Sequence, residues 1–546
     1  MQRYTGSNPA FQDTGRKALQ GVRGAVTSPN YMATQAGEQI LRKGGHAVEG
    51  AIAVNAVLCV VYPHMAGLGG DAFALVKHQG GNVEALNGSG RAGEKATRDW
   101  YREQGYETIP QRGPLAANTV PGTVAAWKEL HETYGKLSWQ ELFEEAIYYA
   151  EHGFPVTEKF SRFLHEKADV LRQHKKAAET LLPGGEPPNT GDILVQKDLG
   201  ATFRTIAGEG ADAFYHGPLA EQLSGSLQQA GGLLTEEDLA AHTSDWETPL
   251  STTYHDRYEV FEMKPNTQGI ATLMMLNILE QFPIAAIGDN TPDYYHLMAE
   301  AAKVAFTYRD RWVTDPAFEQ VPMEEMLSDE HTQEMVRMID MNRAYPVEDL
   351  PALPELDVNK DTTFFAAADA EGNTISMIQS VYHEFGSGFM TDSGFILQNR
   401  GSFFSLDDEH PNRLEPGKRT FHTIIPAMAL KEGEPFLLFG TMGGEGQPQT
   451  QCALMTRIVD FGMDVQQAIE APRWLYGRTW GDNSSTFKLE KRIPDSIMAR
   501  LGDLGHEIEI AAAYSQQMGH AQALKIEDGL YEAGADPRGD GTALSW

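Results

Sequence analysis

Residues Asn359-Lys-Asp-Thr-Thr-Phe-Phe-Ala-Ala-Ala-Asp-Ala-Glu-Gly-Asn373 (NKDTTFFAAADAEGN) pass from a charged, loop-like run into a segment that reads as a strand. The β-branched and aromatic residues from Thr362 onward favour an extended chain. Asp369 to Asn373 supply a turn, and Thr374 to Ser380 then read as a return strand. Setting Ala368 opposite Thr374 puts Thr362 opposite Ser380. Two hydroxyls therefore meet at the open end of a hairpin. In the bland reading, a threonine pair at a strand start reflects β-propensity and nothing more. In the functional reading, cleavage before Thr362 frees an α-amino group, with an ordinary pKa near ~8, on the residue that carries the hydroxyl. That amine can take the hydroxyl proton, so one residue is both nucleophile and base.

Outward from the hairpin, Tyr345 to Lys360 carry three prolines and several acids without a period, the composition of an exposed linker. Such a linker can present the Asp361 carbonyl to the Thr362 hydroxyl. Downstream, Phe395 to Gln398, Ile424 to Leu430 and Phe436 to Gly440 read as strands, and Gln447 to Phe461 and Val465 to Ala471 as helices. Phe439-Gly-Thr-Met-Gly-Gly-Glu-Gly-Gln-Pro448 lies between a strand and a helix, where successive N–H groups can converge on an oxyanion. It lacks the lysine and the spacing of a phosphate loop.

Upstream, Tyr31 to Tyr62 shows helical spacing in two blocks separated by Arg42-Lys-Gly-Gly45, a basic last turn and a glycine stop. Ala72 to Lys77 and Val83 to Asn87 read as two strands. Residues 121 to about 350 are dominated by helical periodicity, as in Leu137 to Glu151, Leu219 to Ala230 and Ile270 to Gln281. Strand and helix blocks at both ends imply an α+β protein with helix-covered sheets.

Length and charge narrow the functional classes. The chain has 546 residues, with 76 acidic against 44 basic and a net charge of −32, which repels nucleic acid and anionic lipid. No apolar run is long enough to span a bilayer, and the first residues lack a secretory core. The expectation is a cytoplasmic protein with no nucleic-acid or membrane partner. The two cysteines, Cys59 and Cys452, sit in apolar helical runs and read as small buried hydrophobes, which excludes a disulfide framework and favours a reducing compartment.

The ordered segments resemble the γ-glutamyltranspeptidase family of N-terminal nucleophile hydrolases over nearly the whole chain. They include Ala33 to Val48, Gly67-Leu-Gly-Gly70, Lys95 to Asp99, Val120-Pro-Gly-Thr-Val124, Gly231 to Leu239, Asp361-Thr-Thr363 and Ala471-Pro-Arg473. The resemblance implies an αββα four-layer sandwich with an added helical lobe, built jointly by a large fragment 1–361 and a small catalytic fragment 362–546. It also implies self-cleavage at Asp361-Thr362, Thr362 as nucleophile, Ser380 as its partner hydroxyl, and Gly443 and Gly444 as oxyanion donors. No cofactor or metal is implied. The partner is a small-molecule amide with a terminal carboxylate, and a homodimer is left open.

The sequence departs from the family where the substrate is gripped. The place of the usual arginine for the α-carboxylate holds Ser89, with Arg91 two residues on. The place of the aspartate for the α-amine falls on Phe403, and that of the neighbouring glutamine on Arg400. A serine pair becomes His422-Thr423, and an asparagine becomes Tyr382. Losing a carboxylate and gaining a guanidinium favours an acyl group with a terminal carboxylate. Both γ-glutamyl amides, with Asp407, Asp408 or Glu409 reaching the amine, and glutaryl amides, as in cephalosporin side chains, fit that description. The rival is an unprocessed, non-catalytic relative that holds a small ligand through Arg91 and Arg400. Asp407-Asp-Glu-His410 lacks metal-site spacing and reads as a solvated acidic turn. Arg538-Gly-Asp540 reads as a chance adhesion tripeptide. A hydroxyl–imidazole pairing of His383 with Ser380 or Ser387 lacks the nucleophile-elbow motif.

Overall fold

The computed structural model describes residues 15–346, 361–477 and 485–546. Most of the proline-rich linker therefore lies outside the described residues, as does nearly all of the N-terminal segment. Two seven-stranded sheets, antiparallel throughout, lie face to face. The first runs Thr542–Ser545, Ala25–Ser28, Asp361–Ala368, Thr374–Tyr382, Asp71–Lys77, Val83–Gly88 and Asp245–Glu247. The second runs Leu19–Gly21, Leu530–Ala535, Ala521–Glu527, Glu434–Thr441, Ala427–Lys431, Tyr258–Glu262 and Leu250–Tyr254. The strand pair read from the opening stretch is thus the centre of the first sheet.

Strand alternation separates the chain's apolar residues into layers. Phe364, Ala366 and Ala368 join Phe73, Leu75, Ile378, Met428, Leu438 and Leu524 between the sheets. Phe365 and Ala367 face the other way, into a core shared with the helices Tyr31–Arg42 and Ala47–Val61. Every residue of Ala47–Val61 is buried, because that helix is apolar all round. Its N-terminus is fixed by a capping box between His46 and Glu49, and Gly44, at φ +92°, ends the preceding helix. Helices Gly269–Glu280, Pro292–Trp312 and Gly446–Val459 cover the second sheet from outside. The result is the expected αββα sandwich. The helices between residues 123 and 240 share the first sheet's helical core, so the helical lobe is continuous with it.

Several expectations need correction. Leu137 to Glu151 divides into a 3-10 turn, Trp139–Phe143, and a helix, Glu144–His152. Phe395 to Gln398 is not a strand; its residues make only isolated bridges, Ile396 to Met390 and Leu397 to Gly69. The predominantly helical stretch contains five short strands among its described residues, Phe154–Pro155, Ile193–Leu194, Asp245–Glu247, Leu250–Tyr254 and Tyr258–Glu262, and the strands after residue 485 were not anticipated at all. The strands between residues 154 and 262 have two to five residues, too few for a two-residue alternation to stand out.

Candidate active site

The hairpin register starts as the sequence requires, with Ala368 opposite Thr374, and continues unbroken to Thr363 opposite Gln379. It then slips: Asp361 pairs with Tyr382. Thr362 therefore faces Ser380 and Val381 together in a bulge, a correction to the direct Thr362–Ser380 pair. A bulge re-aims a side chain at a strand end. Thr362 and Ser380 share the inter-sheet side of their strands with Phe364 and Ile378, whereas Thr363 turns away and donates its hydroxyl to the Gln379 carbonyl at 3.1 Å.

Thr362 is 1% exposed, and its Oγ1 has no hydrogen-bond partner among the described residues. Ser380 Oγ, beside it, accepts from the Tyr382 N–H at 2.8 Å and from Arg400 Nη2 at 3.2 Å. Tyr382 has a left-handed backbone, φ +81°, uncommon for a tyrosine. Its ring lies under the Arg400 guanidinium, 4.3 Å from the centroid. Arg400 is 1% exposed; among the described residues it has no carboxylate within ion-pair distance, and its Nε and Nη1 have no hydrogen-bond partners. Burial lowers the guanidinium pKa to about 10, partly offset by Tyr382 and Asp71, so it stays charged at neutral pH.

A wall of aromatic rings continues from Tyr382. Phe403 meets it edge-on at 5.8 Å and stacks on Phe421 at 5.1 Å. His422 and Thr423 follow, pinned by backbone bonds: the His422 N–H donates to the Asn266 carbonyl, and the His422 carbonyl accepts from the Gln268 N–H. The Thr423 hydroxyl is buried and unpartnered among the described residues. His422 Nε2 lies 3.1 Å from Asp71 Oδ2, a close approach whose angle is poor for a hydrogen bond, and both side chains are fully buried. Burial, then the neighbouring Arg400 charge, pulls the His422 pKa down to about 4, so the ring is neutral near pH 7.

Gly443 and Gly444 follow the strand Glu434–Thr441 and precede the helix Gly446–Val459, with φ of +118° and +55°. A side chain at either position would be strained. Neither glycine N–H has an acceptor among the described residues, whereas the Gly444 carbonyl accepts from Gln268 Nε2 at 2.9 Å. Stacking of the two sheets brings this loop toward Thr362, since Phe364 packs against Gly440.

Other candidates lie elsewhere. Arg91 is ion-paired with Asp245 at 2.9 Å and donates to the Thr243 carbonyl; no contact among the described residues joins it to Thr362, Ser380 or Arg400. Ser89 donates to Asn87. Asp408 is held by Arg98 and Arg102 at the surface, and Asp407 accepts the Glu409 N–H, so Asp407 to Glu409 form a solvated turn. Ser387 donates to the Leu397 carbonyl. Arg538 is fully buried and paired with Glu490 and Asp536, which removes the adhesion reading. Sequence spacing gave no hint of Gln268 or Asp71. Nor did it suggest the buried His296, Glu300 and His506 group, in which both Glu300 oxygens are already taken by Lys303 and the Tyr345 N–H.

The family model described as Gamma-glutamyltranspeptidase matches residues 33–546. A glutathione hydrolase-like proenzyme, YwrD, of Bacillus subtilis is 45% identical over 97% of this chain and 99% of its own length. The oxamate amidohydrolase proenzyme of Klebsiella pneumoniae is 40% identical over 96% and 99%. Among solved structures, the cephalosporin acylase from Bacillus halodurans is 36% identical and superposes with a TM-score of 0.91 over 99% of this chain and 98% of the other. These relatives are named as enzymes, and nothing among them supports a non-catalytic chain.

Proposed function

Because this chain belongs to the γ-glutamyltranspeptidase family, we propose that it cuts its own Asp361-Thr362 bond and uses the freed Thr362 to hydrolyse or transfer the acyl group of carboxylate-bearing amides. The products of the cut are fragments 1–361 and 362–546. The Thr362 α-amine takes the hydroxyl proton as Oγ1 attacks the amide carbonyl. The Gly443 and Gly444 N–H groups hold the oxyanion, each such donor being worth roughly 10²–10³ in rate. The leaving amine departs with the proton, an ester to Thr362 remains, and water or an amine resolves it through the same α-amine.

One observation carries this reading: among the described residues, the buried Thr362 hydroxyl has no partner and stands beside Ser380, whose own oxygen is fixed by the Tyr382 N–H and by an Arg400 without a carboxylate partner. Arg400 supports an anionic acyl group, and the three substrates in the relatives' names (glutathione, oxamate and a cephalosporin) all place a carboxylate in the molecule. The buried and unpaired Cys59 and Cys452 suit a reducing, cytoplasmic compartment.

Intact-mass measurement on a denatured sample tests the cut. Two fragments breaking before Thr362, and a single full-length chain for Thr362→Ala, are expected; an uncut wild-type chain overturns it. Hydrolysis of a glutaryl or γ-glutamyl anilide, or of oxamate, by the cleaved protein tests the chemistry.

A further inference from the structure

Arg400 touches the residue that neighbours the nucleophile. Its Nη2 is hydrogen-bonded to Ser380 Oγ, and Ser380 faces Thr362 across the bulge. Facing residues of a hairpin have Cβ atoms about 5 Å apart, and an attacked carbonyl carbon sits about 3 Å from the nucleophilic oxygen. A carboxylate gripped by Arg400 therefore lies close to the scissile carbonyl. The grip is available: the second N–H of Nη2, together with either Nη1 or Nε, makes a two-pronged edge that matches a carboxylate, and neither Nη1 nor Nε has a hydrogen-bond partner among the described residues. The Tyr382 ring fixes the guanidinium plane from one side.

On the Tyr382 side of Arg400 the space is taken by packed rings. Tyr382, Phe403 and Phe421 form a continuous buried aromatic wall. All three side chains are aromatic, so the wall itself carries no carboxylate for an ammonium. Two buried acids stand nearest the grip and the glycine loop. Asp71 accepts the Gly90 and Gly122 N–H groups through Oδ1 and faces His422 through Oδ2; Glu445 stands 3.6 Å from Arg309. His422, neutral and with an Nδ1 that has no partner among the described residues, adds a donor or acceptor next to the guanidinium but no negative charge.

Resting on the reading of Thr362 as nucleophile, we propose that the acyl pocket selects short dicarboxylic mono-amides without an ammonium group, the oxalyl to succinyl range, over glutaryl and γ-glutamyl amides. The carboxylate seats on Arg400 immediately beside the carbonyl that Thr362 attacks. Arg400 and the Tyr382–Phe403–Phe421 wall together set the length limit.

The test uses the self-cleaved wild-type protein and ammonia release from oxamate, malonamate, succinamate, glutaramate and L-glutamine, which share one leaving group. The best of the three short amides should exceed glutaramate and L-glutamine in kcat/KM by about tenfold or more. Oxalate, malonate and succinate should inhibit more tightly than glutarate, a measurement that needs no variant. Arg400→Lys, which keeps the charge and loses the fork, should raise KM for the short amides most. Equal or better turnover of glutaramate, L-glutamine or a γ-glutamyl anilide, or equal inhibition by glutarate, overturns the length rule while leaving the amidohydrolase reading standing. A cleaved protein that hydrolyses none of these amides overturns both.

Discussion

Gln268 Nε2 donates to the carbonyl of Gly444 at 2.9 Å and to that of Thr423 at 2.7 Å, while its Oε1 accepts from Arg309 Nη1 at 2.7 Å. One buried side chain thus spans the glycine loop, the His422-Thr423 segment and the long helix Pro292–Trp312. If the proposed cut occurs, Gln268, at the start of the helix Gly269–Glu280, lies in the fragment 1–361, whereas both carbonyls it holds lie in 362–546. Gln268→Ala should lower kcat by about 10- to 100-fold with a smaller change in KM, because the Gly443 and Gly444 N–H groups lose their orientation. Steady-state kinetics on the cleaved variant read this directly; an unchanged kcat would show that the loop holds itself.

Asp71 serves two backbone N–H groups and one imidazole at once. Asp71→Ala leaves the buried Gly90 N–H without an acceptor, which costs about 1–3 kcal/mol, while the Gly122 N–H keeps the Gly70 carbonyl at 2.9 Å. Asp71→Asn can still accept both bonds through its amide oxygen but carries no charge. The expected order of thermal stability is wild type, then Asn, then Ala. Calorimetry distinguishes this from the alternative in which the two variants are equally destabilised and the charge alone matters.

Gly440 has no room for a side chain: a Cβ there would run into the Phe364 ring, two residues from Thr362 on the facing sheet. Gly440→Ala should destabilise the protein by about 1–3 kcal/mol through overpacking. It should also slow cleavage at Asp361-Thr362, because Phe364 sets the position of the strand that begins there. A time course of fragment appearance after synthesis measures the second effect.

Stability should fall in mild acid. Burial holds His46, His242, His422 and His520 at about 4 and His506 at about 3, all below the ordinary value of 6.5. Between those values and 6.5 the unfolded chain binds more protons than the folded one, so stability is full above pH 6.5 and is lost as pH falls toward 4. Burial raises Glu247, to about 7, and also Glu262, Asp460, Asp464 and Asp540, which act in the opposite sense, but burial lowers His64, His174 and His410 as well, so the histidines outnumber them. Each fully shifted group contributes about 1.4 kcal/mol per pH unit. Thermal unfolding at pH 7 and pH 5 should show a lower Tm at pH 5; an equal or higher value would mean that the buried carboxylates dominate.

The division between readable and unreadable features follows the range of the interactions that make them. The hairpin from Thr362 to Ser380 was legible because β-propensity, the Asp369 to Asn373 turn and two-residue alternation are local, and together they set the register as far as Thr363. The helix pair ending at Gly44 was legible for the same reason. The slip that sets Thr362 against both Ser380 and Val381 was not, since a bulge depends on what lies beyond the strand end. Arg400 and Phe403 were flagged by what they replace, yet Arg91, flagged with them, is bound to Asp245.

The sequence by itself determined a two-strand centre with a threonine at its head, a glycine loop after a strand, and a charge too negative for nucleic acid. Only the tertiary structure decided which polar groups meet. Asp71 reaches His422, Gln268 reaches Gly444, and Arg400 lies across Tyr382 onto Ser380. These partners come together because stacked sheets and buried helices bring distant segments into one buried layer. Periodicity within a segment records which face is buried, but it holds no information about which residue of another segment that face will meet.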